Sequence, residues 1–122
     1  MNTKETGDFG ETEVCKTLIS RGYKILERNF RSRLGEIDII AKDGDCIVFI
    51  EVKTRKNNVF GNASEYVTYS KQKKIIKTAK YYLKGMLDVE IRFDVAEVYY
   101  QKINDTLKVT NINYIKNAFM GQ

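Results

Sequence analysis

Histidine is missing from the 122-residue chain. That excludes imidazole acid–base chemistry, serine–histidine nucleophile pairs and histidine-ligated zinc. Proline is missing as well, so turns fall to Gly, Asn and Asp. Only two cysteines occur, Cys15 and Cys46. Each lies in an apolar pattern and reads as a buried free thiol, so nothing argues for a disulfide or for secretion. No signal-peptide pattern opens the sequence, and no apolar run approaches the roughly 20 residues of a membrane span. The expectation is a cytoplasmic protein with no membrane partner. Internal repeats and low-complexity segments are absent too.

What is present is an ordinary globular composition, with 43% hydrophobic and 30% charged residues. The length fits one domain over residues 1–122, enough for a single core and not for two. A net charge of +5 and a pI of about 9.1 favour a polyanionic partner such as nucleic acid, a bias that many mildly basic soluble proteins share.

Val14 and Leu18 stand four apart, as do Cys15 and Ile19, which predicts a helix over about Thr3–Arg21 with Gly22 as its stop. Tyr23–Phe30 reads as a strand and Asn29–Leu34 as a basic loop carrying Arg31 and Arg33. Glu36–Lys42 and Cys46–Arg55 read as a hairpin turning around Asp43-Gly44-Asp45. Lys56–Tyr69 is polar and irregular and reads as a mobile loop. Ser70 then caps a helix to Lys84, stopped by Gly85, with an apolar face of Ile75, Ile76, Ala79, Tyr82 and Leu83. Glu90–Tyr100 reads as a strand, Asn104-Asp105 as a turn, Leu107–Ile112 as an edge strand and Ile115–Phe119 as a short helix. The main order is αβββαββ. A helix between the Cys46 and Glu90 strands makes those two parallel, and the remaining pairs antiparallel. The fold class is therefore α/β, a mixed β-sheet flanked by helices.

Three charges interrupt the apolar hairpin: Asp38, Glu51 thirteen positions on, and Lys53 two beyond that. Side chains alternate faces along a strand. Cys46, Val48, Ile50 and Val52 share one face, and Ile37, Ile39 and Ala41 share one on the neighbouring strand. An even-numbered turn merges these sets into one apolar face. It then gathers Asp38, Ile40, Ile47, Phe49, Glu51 and Lys53 on the other. With a Gly44-Asp45 turn, Asp38 faces Glu51 directly; with an Asp43-Gly44 turn, it lies diagonal to it. Carboxylates in such runs are costly unless paired or bound to a metal. Two carboxylates and a backbone carbonyl such as that of Val52 are hard oxygen donors suited to Mg²⁺ or Mn²⁺. Such a cation lowers the pKa of a bound water and offsets charge building on a phosphate. Lys53, roughly 7 Å along the strand from Glu51, can orient the attacking water or neutralise the transition state. The plainer reading is a solvated strand face with cross-strand ion pairs. The long apolar flanks argue against it.

The run Gly35-Glu36-Ile37-Asp38-Ile39-Ile40-Ala41, with Val48-Phe49-Ile50-Glu51-Val52-Lys53-Thr54-Arg55, resembles the UPF0102 (YraN) family of small bacterial proteins, classed as endonuclease-like. Gly10-Glu11, Gly22-Tyr23, Arg28-Asn29-Phe30-Arg31, Lys71-Gln72 and Arg92-Phe93-Asp94-Val95 extend the resemblance over about Gly7–Tyr100. It implies a restriction-endonuclease-like fold of the PD-(D/E)xK superfamily, similar to archaeal Holliday junction resolvases. Ile37 stands where the superfamily pattern often has proline. By that resemblance Glu11 is an auxiliary metal ligand or base, and Gln72 a helical glutamine beside the site. The plainer readings are a glutamate complementing the helix dipole and a polar residue at the helix rim. Arg31, Arg33 and Arg55, with Lys73 and Lys77 of a lysine stripe, are candidate DNA-backbone contacts or simply exposed charge. Asp94 and Arg92 read as a structural ion pair. The expected function is metal-dependent hydrolysis of DNA, branched or otherwise structured. The alternatives are a DNA-binding module of the same fold without catalysis, and a protein-interaction adaptor that would leave the charged triplet unexplained. By analogy with resolvases a homodimer is expected, although the sequence shows no interface pattern.

Overall fold

The computed structural model describes residues 2–57 and 67–120. Among these, the elements run α1 (Thr3–Ser20), β1 (Lys24–Ser32), β2 (Gly35–Asp43), β3 (Cys46–Lys56), α2 (Tyr69–Tyr82), β4 (Glu90–Ile103) and β5 (Thr106–Phe119). This is the expected αβββαββ order. The five strands form one sheet in chain order, β1-β2-β3-β4-β5. β3 and β4 pair in parallel across the α2 crossover, and every other pair is antiparallel.

A helix covers each face of the sheet. Val14, Cys15 and Leu18 of α1 pack on Ile39, Ala41, Val48, Ile50, Ala96 and Val98. Ile75 and Ala79 of α2 pack on Ile37, Ile40, Ile47, Phe49, Phe93 and Val95. Burial on both faces explains why β3 is apolar at nearly every position from Cys46 to Ile50 rather than at alternate ones. Both cysteines are buried free thiols.

The structure shifts several boundaries, one element type and one face. Thr68, not Ser70, caps α2: its hydroxyl accepts the Lys71 amide at 3.2 Å. The expected basic loop is mostly strand, because β1 runs on to Ser32 and turns through Arg33 and Leu34 into Gly35. Of the loop expected over Lys56–Tyr69, Lys56 belongs to β3 and Tyr69 to α2, while 58–66 lie outside the described residues. The helix expected at Ile115–Phe119 is strand. Asn117 has a φ of 51°, and the β4–β5 register shifts between Phe93 and Val95. That bulge sends Ile115, Ala118 and Phe119 into the α2-side core, which imitates helical spacing. Ile37 also lies on the α2 side, not with Ile39 and Ala41. Its displacement shapes the site.

Candidate active site

The β2–β3 ladder runs from Asp43–Cys46 to Ile39–Ile50, so the hairpin turns through Gly44-Asp45. In that register the next residues are Asp38 and Glu51, and the ladder stops before them. The Val52 amide donates instead to Asp38 Oδ2 at 2.8 Å. Across β1, Asn29 sits between the pairs Arg28–Ile39 and Phe30–Ile37, with a φ of 53°. Asn tolerates this left-handed conformation better than most residues. The sheet is thus kinked along the line Asn29–Asp38. Ile37 and Ile40, three apart, both enter the α2-side core, and the strands part where the carboxylates project.

A cleft of about 530 Å³ opens there. Its walls include Gly7 and Glu11 of α1, Asp38, Glu51, Val52 and Lys71. Glu51 is only 5% exposed, and Asp38 is half-buried. The two carboxyl groups stand close enough to perturb each other's ionisation. Burial pushes the Asp38 carboxyl up to about 9, and the neighbouring Glu51 pushes the same way against the Val52 amide. Two carboxylates this close need a proton or a cation between them. Lys71 Nζ forms an ion pair with Glu51 Oε2. Burial works to lower the Lys71 pKa, but the hydrogen bond and charge of Glu51, then the charge of Asp38, raise it. Lys53, on the same strand face as Glu51, is lowered by burial and by the charge of Lys71.

Close packing brings α1 to this point. A Cβ at Gly10 would fall on Thr54 Oγ1 of β3, so only glycine allows the approach that delivers Glu11 to the cleft wall. Burial raises the Glu11 carboxyl, while hydrogen bonding from Asn29 and the charge of Arg28, whose Nη2 lies 3.6 Å away, oppose the rise.

Glu11, Asp38, Glu51 and Val52 therefore share one cleft, with Lys53 beside it. The other expected residues stand elsewhere. The Gln72 amide donates to the Val67 carbonyl at 2.8 Å, and Gln72 lines a separate groove with Tyr69, Lys73, Ile76 and Lys77. Arg31 pairs with Glu36 at 3.4 Å along an adjoining groove, and Arg33 is exposed in the β1–β2 turn. Arg55 is held in the sheet, 3.9 Å from the buried Glu97. Lys73 and Lys77 are exposed on α2, with the Lys73 ammonium 4.7 Å from the Tyr69 ring centre. The residue that sequence reasoning missed is Lys71. It lies four before Ile75 and seven before Thr78, both buried, so helical periodicity alone puts it on the inward face.

The donors facing the cleft are oxygens, which suits a hard divalent cation and not a soft one. Among the described residues no three Asp, Glu, His or Cys side chains converge as a metal-binding group. Protein ligation would thus rest on Asp38, Glu51 and a backbone carbonyl, the partial set that Mg²⁺ accepts when water and phosphate complete its shell. Among the described residues no helix is long and apolar enough to cross a membrane.

The kinked sheet and its cleft lie within a segment with clear relatives. The chain is 50% identical over 121 residues to a UPF0102 protein of Clostridioides difficile (strain 630), covering 98% of this chain and 100% of the relative. It is 47% identical over 121 residues to one of Caldicellulosiruptor saccharolyticus, with the same coverage. It is 50% identical over 119 residues to one of Clostridium botulinum (strain Loch Maree / Type A3), covering 95% and 94%. Residues 10–98, from the glycine that seats α1 into β4, match the group described as "Uncharacterised protein family UPF0102". The chain belongs to the UPF0102 family.

Proposed function

We propose that this chain is a metal-dependent nuclease that hydrolyses phosphodiester bonds in DNA, with branched or otherwise structured DNA as its substrate class. One observation carries the reading: two carboxyl groups, Asp38 and Glu51, line one open cleft close enough for each to oppose the other's ionisation. A scaffold gains nothing from that arrangement, since each carboxylate makes the other harder to ionise.

Asp38, Glu51 and the Val52 carbonyl would hold Mg²⁺ or Mn²⁺, which when bound supplies Lewis acidity and a counter-charge for phosphate. Lys53 extends from the strand face of Glu51 and either orients the attacking water or neutralises charge growing on the phosphate. Glu11, with its raised carboxyl, is an auxiliary base or ligand at the cleft wall. Asn2 and Thr3 at the start of α1 border the cleft, as does Lys71 in the first turn of α2. Both helix N-termini therefore bias it toward anions. The excess of five positive charges adds a general attraction for nucleic acid.

The test is cleavage of duplex, flap and four-way-junction DNA by the parent and by Asp38→Ala, with Mn²⁺ or with EDTA. Cutting by the parent alone, and only with metal, is the expected result. One observation favours a second reading, a DNA-binding module without catalysis: Lys71 already occupies Glu51. Salt-sensitive binding with no cutting of any substrate would establish that reading instead.

A further inference from the structure

We propose that Lys71 is a resident counter-ion, which competes with a divalent cation for Glu51 and, once displaced, transfers its charge to a phosphate of the nucleic acid. The proposal rests on the cation site described above and adds a coupling: cation and polyanion bind cooperatively through one lysine.

The ammonium of Lys71 sits on Glu51 Oε2, on one of the two carboxylates that would hold a cation. A divalent cation and an ammonium held on the same carboxylate would repel each other, so one would have to move. Lys53 projects from β3, where parallel pairing to β4 fixes its backbone opposite Glu97. Lys71 is different. Its side chain is 53% exposed, and it stands in the first turn of α2 at the cleft rim. The Thr68 cap holds its backbone amide, so the side chain can swing while the helix stays in place. One turn further along the same side of α2 lies the exposed Lys74, whereas the stripe of Lys73, Lys77 and Lys80 is on the opposite side of the helix. A phosphate at the N-terminal end of α2 would receive a displaced Lys71. Each ligand then lowers the cost of the other: the cation frees the lysine, and the phosphate receives it. By reciprocity the nucleic acid must tighten the cation as much as the cation tightens the nucleic acid.

Calorimetric titration with Ca²⁺, with and without a short DNA duplex, tests this on the parent, Asp38→Asn, Lys71→Met and Lys71→Arg. Without DNA, Lys71→Met should bind Ca²⁺ roughly fivefold or more tighter than the parent, the low end of ordinary coupling. Duplex should tighten Ca²⁺ binding to the parent and to Lys71→Arg by a similar factor, and leave Lys71→Met unchanged. Lys71→Gln takes the place of Lys71→Met, with the same expectations, if circular dichroism shows the latter unfolded. Equal or weaker Ca²⁺ binding by the Met or Gln variant, with coupling to DNA intact, would overturn the proposal. If the parent binds and Asp38→Asn does not, that result leaves the cation site standing. If neither the parent nor Lys71→Met binds Ca²⁺, the cation site and the proposal fall together.

Discussion

Asp94 and Asp38 are both drawn into the sheet, and they meet opposite surroundings. Asp94, fully buried on β4, accepts the Arg92 Nε on both oxygens at 3.0 and 3.1 Å, the Tyr114 hydroxyl at 2.6 Å and the Asn117 amide at 3.0 Å. Arg92 goes on to Asp43 at 3.2 Å and the Tyr23 hydroxyl at 2.8 Å. The cluster ties the start of β1, the end of β2, β4 and the β5 bulge together, and its donors match its acceptors. The charge of Asp94 holds the Arg92 guanidinium above its usual range despite burial. Around Asp38 the acceptors exceed the donors. Two carboxyl groups share one Val52 amide and one half-exposed lysine. Closed networks of the first kind build scaffolds, whereas a deficit open to solvent marks a place kept for something else.

Breaking the closed network should cost most. Arg92→Ala leaves Asp94 buried without its cation, so a loss of about 3–5 kcal/mol is expected in urea unfolding. A loss under about 1 kcal/mol would mean the cluster is no scaffold. Gly10→Ala forces a Cβ onto Thr54 and should cost about 1–3 kcal/mol by overpacking, with partial recovery in the Gly10→Ala/Thr54→Ala double variant. Equal stability of the single and double variants would show that Thr54 is not the obstacle. Tyr23→Phe removes one hydrogen bond to a charged group and should cost about 1.5 kcal/mol.

The open cluster should respond in the other direction. The Asp38 carboxyl is raised in the folded state, so the folded chain keeps a proton that the unfolded chain has lost. This lowers stability as pH rises from about 4 toward 9, and the penalty is absent below about 4, where both states are protonated. Asp38→Asn still accepts the Val52 amide and offers Glu51 a permanent hydrogen. Without metal it should gain on the order of 1 kcal/mol at pH 8, or roughly 3–6 °C in Tm, and nothing below pH 4. Thermal melts across that range check it. A variant less stable than the parent at pH 8 would mean that the cleft carboxylate is structural after all.

Much of this contrast can be read along the chain. The even-numbered turn predicts Asp38 opposite Glu51, and the observed ladder from Asp43–Cys46 to Ile39–Ile50 ends one step short of that pair. Asn104 and Asp105, with φ of 50° and 63°, form the expected turn. Spacing failed where the strands are irregular. At Asn117 a bulge imitates helical spacing, and at Asn29–Asp38 a kink reverses the face on which Ile37 lies. A left-handed asparagine inside a strand leaves no mark in hydropathy. Lys71 was legible in principle from its distance to Ile75 and Thr78, but the neighbouring lysine stripe carries the stronger pattern.

Alternation, turn chemistry and the helical crossover are local or pairwise properties, so the amino-acid order by itself determined the αβββαββ architecture, the parallel β3–β4 pair and the meeting of Asp38 with Glu51. Which charges are satisfied is not local. Asp94 is satisfied by Arg92 of its own strand and by Tyr114 and Asn117 of β5, with Arg92 held in turn by Asp43 and Tyr23, and Glu51 is paired with a lysine from a helix twenty positions later. Such balances depend on distances and burial that exist only after the layers pack, because the strength of a charge pair is set by its separation and by the water left around it.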